Sequence, residues 1–250
     1  MYNRKCKAKI ISLSLALLLV ISTIGGFMSQ SFTAEAADTD IIEISNEDEL
    51  ISFANSCRND SYSFGRKVKL TSDISITKDG FEGIAYFNGT FDGGNHTIRN
   101  LNKEYIGSDY GFFRYLGEDA YVYNLSVSGT ITASGSQKNI GGIAGVNKAG
   151  ARLINCNSDA DISATNQTGG IAGNNQGIIS GCISRSKVNT NELNSSFDIG
   201  GVDVGTLNIT QHVVDRNDMG GIAGYSTGVI SDSTNYGAVD IAIWVTMPVA

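Results

Sequence analysis

The pentapeptide Gly141-Gly142-Ile143-Ala144-Gly145 recurs as Gly169-Gly170-Ile171-Ala172-Gly173 and again as Gly220-Gly221-Ile222-Ala223-Gly224. A repeat this short cannot bury a core by itself, so its copies must stack on one another. A second ruler runs beside the first: Leu153, Cys156 and Ile162 share their offsets with Ile179, Cys182 and Val188, and with Ile230, Ser233 and Val239. From Cys156 to Cys182 is 26 residues and from Cys182 to Ser233 is 51, close to twice that. The wide gap leaves two readings for residues 190–218: a degenerate coil with Val204, Leu207 and Val213 as its core positions, or a loop insertion. Gly111-Phe112-Phe113 followed by Val122, Leu125 and Val127 reads as an earlier, divergent copy.

A period near 26 residues fits one turn of a parallel β-helix, since three strands of about five residues plus three corners nearly fill it. The composition agrees. Glycine occurs 30 times and proline once, at Pro248. Such a chain can turn tight corners and still donate an N–H at almost every strand position. Asp-Gly and Gly-Asn steps, as in Phe91-Asp92-Gly93-Gly94-Asn95, supply the positive φ that corners need. The fold expected is therefore all-β, a parallel β-helix, right-handed because parallel crossovers are. Cys156 and Cys182 become neighbours in an interior ladder, where stacked free thiols are favoured over a disulfide.

The chain opens with Arg4, Lys5, Lys7 and Lys9, an apolar run from Ile10 to Ile24, and then Ala34-Glu35-Ala36. This is the layout of a secretory signal peptide, residues 1–36, with cleavage after Ala36. An uncleaved segment is the one route by which the chain would touch a membrane. Cleavage moves the formal charge from −7 to −10, which argues against nucleic acid and anionic lipid as partners. Residues 37–60 hold one amphipathic helix: Leu50, Phe53, Ala54 and Cys57 share a face, and Ser45 with Asp48 resembles a capping box. Such a helix would cover the open first coil of a β-helix that occupies residues 61–250. The apolar ending from Ile241 to Ala250 carries no polar cap, so either further sequence follows or Trp244 and Met247 close the last coil.

Gly-Gly-Ile-Ala-Gly followed by an Ile- or Val-rich strand resembles the GLUG motif of bacterial secreted proteins. The resemblance reaches upstream through Leu70-Thr71-Ser72-Asp73-Ile74, Phe87 to Ile98, Tyr110-Gly111-Phe112-Phe113 and Asn124 to Gly129, an order similar to the pectin-lyase-like β-helix region of such proteins. It covers roughly residues 41–240. It implies a secreted or cell-surface bacterial protein and a parallel β-helix. Activity stays open, because the region occurs in adhesins and also upstream of protease domains such as the IgA-specific metalloendopeptidases.

Candidate chemistry is sparse. His96 and His212 stand far apart without the helical context of a zincin, and no Cys/His cluster has zinc spacing. Gly224-Tyr225-Ser226-Thr227-Gly228 matches the letters of a nucleophile elbow, but no histidine follows, and Ser226 occupies the place of Asn147 and Asn175, a repeat corner. Asp159 and Asp161 could form a carboxylate pair, or simply flank an inward strand position. No metal or cofactor is implied. If Val122, Leu125 and Val127 point inward, Tyr121 and Tyr123 point outward, near Tyr105, Tyr110 and Tyr115. A row of exposed tyrosines can stack on sugar rings. The function expected is thus a non-catalytic binding or adhesion module with an extracellular glycan or host glycoprotein as ligand, Tyr121, Tyr123 and Tyr105 forming the platform. The alternatives are the repeat region of a larger secreted protease and a polysaccharide-active β-helix enzyme.

Overall fold

The computed structural model describes residues 41–133, 138–189 and 217–239. They form a parallel β-helix of about five turns, whose strands stack into four sheets. Sheet A holds β1 (Ile42–Ile44), β2 (Lys67–Leu70), β5 (Thr90–Asp92), β9 (Tyr121–Tyr123), β13 (Arg152–Ile154), β17 (Ile178–Ser180) and β22 (Val229–Ser231). Sheet B holds β3 (Ile74–Ser75), β6 (Thr97–Arg99), β10 (Ser126–Ala133), β14 (Asn157–Ser163), β18 (Ile183–Ser184) and β23 (Thr234–Asn235). Two short strands, β7 (Lys103–Tyr105) and β19 (Lys187–Val188), pair with the later halves of β10 and β14. Sheet C holds β4 (Ile84–Phe87), β8 (Phe113–Leu116), β12 (Ala144–Asn147), β16 (Ala172–Asn175) and β21 (Ala223–Ser226). Sheet D is β11 (Ile140–Gly141), β15 (Asn166–Gly169) and β20 (Asn217–Gly220).

Sheet A keeps apolar residues on its inner side from coil to coil, whereas one inner column in each of sheets B and C passes from Ile, Val, Phe and Leu to Ser and Asn in the later coils. In sheet A the inner column runs Ile42, Val68, Phe91, Val122, Leu153, Ile179, Ile230. Its members from Val68 to Ile179 are buried, whereas Ile230, on the last described coil, is 41% exposed. The expected offsets hold: Ile162 stands over Val188 and Val188 over Val239.

The same registers decide between coil and insertion. Ala172 pairs directly with Ala223, Thr168 with Met219 and Ile179 with Ile230. Among the described residues no coil is interposed between these strands; residues 190–216, between β19 and β20, lie outside the described residues. Val204, Leu207 and Val213, like the signal segment with Ala36, His212, Trp244 and Met247, lie outside the described residues.

Two local devices make the coil. The first is a left-handed residue stacked at the same corner in successive turns. Asp109 and Asn139, just ahead of strands of sheets C and D, and Gln167 and Asp218, within sheet D, have φ between 48° and 66°. Asn124, Asn155, Gly181 and Asp232 do the same between sheets A and B. Short polar side chains tolerate this conformation, so asparagine and aspartate do most of the work expected of glycine. The second device explains the repeat itself. None of the pentapeptide glycines has a left-handed φ; they are there because nothing larger fits. A Cβ on Gly142 would lie 2.1 Å from Ser158 Oγ, one on Gly170 2.1 Å from Ser184 Oγ, and one on Gly173 2.2 Å from the Asn139 carbonyl carbon.

The amphipathic helix, α1, runs from Glu47 to Ser56 and buries Leu50, Phe53 and Ala54, with Cys57 just beyond, against the first coil. Its cap is one residue later than expected. Asn46, not Ser45, is the N-cap and accepts the Glu49 N–H at 3.0 Å. Glu49 reaches back to the Ser45 N–H at 2.7 Å. Asparagine caps as well as serine, and this register places the carboxylate within reach of the preceding turn. Glu47 ties the helix to the next coil by accepting the Lys78 and Thr77 N–H groups at 2.6 and 2.5 Å, which holds its carboxyl below the usual range. Cys57, Cys156 and Cys182 are free and buried. Cys156 and Cys182 stack as expected, the Cys156 N–H lying 3.4 Å from Cys182 Sγ, and burial pushes the Cys156 thiol well up.

Candidate functional site

The A-to-B corner varies along the solenoid, and that variation builds a site. Between β9 and β10, β13 and β14, β17 and β18, and β22 and β23, two residues turn the corner. Between β5 and β6 there are four: Gly93, Gly94, Asn95 and His96. Gly94 (φ 58°) and Asn95 (φ 61°) occupy consecutive left-handed positions, and the His96 N–H donates to the Gly93 carbonyl at 2.8 Å. Two positive φ values closed by this bond define a type I′ turn. Asp92 Oδ1 accepts the Gly94 N–H at 2.8 Å, and the Asn124 carbonyl accepts the Asn95 N–H at 2.9 Å. The longer corner therefore stands rigidly above the shorter one of the next coil. The step forms a cleft of about 410 Å³ lined by Lys69, Thr71, Asp92, Asn95, His96 and Asn124, with Leu70 and Gly94 at its back.

His96, which lines the cleft, belongs to an ordered charge cluster beside it. Asp73 Oδ1 lies 3.3 Å from His96 Nδ1 and accepts the Thr97 N–H at 3.0 Å; its other oxygen pairs with Arg99 at 2.8 Å. The Thr97 N–H first, then Arg99, hold the Asp73 carboxyl below its ordinary range. A carboxylate on Nδ1 orients an imidazole and leaves Nε2 as the nitrogen available to a ligand.

Beside the cleft lies the outer face of sheet A. Val122 is fully buried, and Tyr121 and Tyr123 flank it on the outside as expected. Their rings stack with centroids 4.9 Å apart and planes 27° apart, and Tyr121 is 38% exposed. Burial, then the neighbouring Asp92 charge, raises the Tyr123 phenol, so that it stays a hydrogen-bond donor. In register, Tyr123 follows Lys69 and Asp92, and Tyr121 follows Lys67 and Thr90 and precedes Arg152. Asp92 and Asn124 belong both to the cleft and to the flanks of Tyr123, so platform and cleft form one continuous surface.

The longer tyrosine row expected from the sequence does not assemble. Tyr105 is on β7, beside sheet B, half-buried and stacked on Tyr110 at 4.7 Å, with Arg114 5.8 Å from its ring. Tyr110 is fully buried. Tyr115 is on sheet C, where its hydroxyl donates to Asp109 at 2.5 Å and Lys148 lies 5.7 Å from its ring; burial and that bond push the phenol to about 12. Proximity in sequence misled here, because sixteen residues from Tyr105 to Tyr121 travel most of the way round a coil.

The other candidates fall where the repeat puts them. Ser226 continues a corner ladder: Asn147 Nδ2 donates to Asn175 Oδ1 at 2.7 Å and Asn175 Nδ2 to Ser226 Oγ at 3.1 Å. Asp159 and Asp161 point outward on β14 on either side of buried Ala160, and Asp161 lies 3.7 Å from Lys187. Sequence reasoning missed Asp73, Asp92, Lys69 and Asn124, and weighed His96 only as a zinc ligand. The available signal was the corner length, two residues longer after β5 than in later turns. Among the described residues no helix is long and apolar enough to cross a membrane. No family model matches the chain, and neither the curated proteins nor the solved structures contain a match, so the resemblance to the GLUG region rests on the residues quoted above.

Proposed function

We propose that this chain is an exported, non-catalytic binding or adhesion module of a bacterial surface protein, and that its ligand is a glycan or host glycoprotein. The observation that carries the reading is the stacked Tyr121–Tyr123 pair on the outer face of sheet A, continuous with a preorganised polar cleft. Stacked aromatics offer a sugar apolar contact, and the amides, carboxylate and imidazole of the cleft suit hydroxyl groups. Export rests on the layout of residues 1–36.

A second reading is favoured by one feature. His96, oriented by Asp73 and lining the cleft, has the arrangement of a general base, which would suit a polysaccharide-active enzyme. A glycan and host-protein array with residues 37–250, run together with a polysaccharide turnover assay, separates the two. Saturable binding without product release supports the module. Product release that is lost in His96→Gln supports the enzyme, and the absence of both would defeat the proposal.

A further inference from the structure

We infer that the ligand of the sheet A face is an anionic saccharide, bearing carboxylate or sulfate groups, held by Lys67, Lys69 and Arg152 on either side of the tyrosine pair. This rests on the glycan reading of that face and names its ligand class. Among the other described lysines and arginines, eight have a charged or aromatic partner, and Arg58 and Lys138 have neither. Lys78, Arg99, Lys103 and Lys187 pair with carboxylates. Arg66, Arg114, Lys148 and Arg185 lie over aromatic rings. Lys67, Lys69 and Arg152 are exposed and, among the described residues, have no ion-pair or ring partner.

Their placement follows from the register. Lys67, Thr90, Tyr121 and Arg152 form one outer column, and Lys69, Asp92 and Tyr123 the next. Three inter-strand steps of ~4.8 Å separate Lys67 from Arg152, about 14 Å along the solenoid. Two cations at that spacing with an aromatic ring between them suit an extended sugar chain that carries a charge at intervals and presents a ring face in the middle. Glu43 and Asp92 flank Lys69 in its column, so the net positive charge of the face rests on Lys67 and Arg152, whose column carries no carboxylate between them. The chain as a whole carries a formal charge of −7, so a polyanion meets net repulsion except where cations cluster, as they do in a strip on this face. Binding through this strip would be specific to the face and not a general property of the surface.

The test compares a neutral oligosaccharide, a uronate oligosaccharide, a sulfated oligosaccharide and polyglutamate as titrants, using residues 37–250. Wild type should bind one or both acidic saccharides and leave polyglutamate and the neutral sugar weak. Each of Lys67→Gln, Lys69→Gln and Arg152→Gln should weaken binding about two- to fivefold, and added salt should weaken it further. Tyr121→Ala should also weaken it, and thermal unfolding of all variants should match wild type. Neutral-sugar binding that depends on Tyr121 and ignores the three cations would overturn the anionic class and leave the glycan reading standing. Polyglutamate bound as tightly as the acidic saccharides would overturn the saccharide requirement and with it the glycan reading of this face.

Discussion

The two ends of the solenoid reach the same cross-section by different chemistry. The early coils, up to about residue 125, are filled by interlocking aromatics: Phe87, Phe91, Phe112 and Phe113 pack with ring centroids 4.9–5.9 Å apart, and Phe53 of α1 joins them at 6.2 Å from Phe87. The later coils are filled by Ile143, Ala144, Ile171 and Ala172, by stacked thiols, and by hydrogen-bonded Ser and Asn ladders. Small residues permit the tight glycine contacts and a strict repeat. Bulky ones permit unequal corners. The regular half is recognisable by eye and supplies architecture, whereas the irregular half breaks the repeat and holds the cleft, the charge cluster and the tyrosine pair. In this molecule the departures from the repeat, not the repeat, mark the candidate site.

Substitutions can break that comparison, and the largest effect belongs to the aromatic half. Phe91→Ala removes a fully buried ring that touches three others and is expected to cost about 3–5 kcal/mol in urea unfolding. Gly173→Ala, in the regular half, is expected to cost about 3 kcal/mol, because the new Cβ meets backbone that cannot retreat. Gly80→Ala sharpens the contrast. That glycine has φ 112° but open space around it, so only backbone strain of about 1 kcal/mol is expected. Equal costs for Gly173→Ala and Gly80→Ala would remove the distinction between glycines kept for room and glycines kept for conformation.

Asn175→Ala cuts the corner ladder between Asn147 and Ser226 and should cost about 1–3 kcal/mol. The smallest effect is local and lies beside the cleft. Because the Asp73 carboxyl is held below its ordinary range, its contribution is present above the unfolded value near pH 4 and is lost as pH falls through the lower folded value. Hydrogen exchange at the Thr97 amide, which donates to Asp73, should therefore be unaffected by protonation of Asp73 between pH 7 and 5 and lose protection below about pH 4. In Asp73→Asn that acid-dependent loss should disappear.

Much of the fold was legible because stacking writes itself into spacing. Leu153, Cys156 and Ile162 kept their offsets in later coils, so the interior columns could be read directly. The long gap to Ser233 stayed ambiguous, since 51 residues serve equally well as two coils or as one coil with an insertion, and only hydrogen-bond register distinguishes them. The site was less legible. Tyr121 and Tyr123 followed from alternation about Val122, but Lys69, Asp92 and His96 come together only because one corner is two residues longer than its neighbour. Tyr105 and Tyr115 were misplaced for the same reason: irregular early coils cannot be counted round by period alone.

The most direct test of the binding face is a saturation titration of wild type and the Tyr121→Ala/Tyr123→Ala double variant against the glycan or glycoprotein that an array selects, with thermal unfolding measured alongside. The account predicts saturable binding by wild type, a loss of about tenfold or more in the double variant, and nearly unchanged unfolding. Undiminished binding by a folded double variant would contradict it and place the ligand on another face.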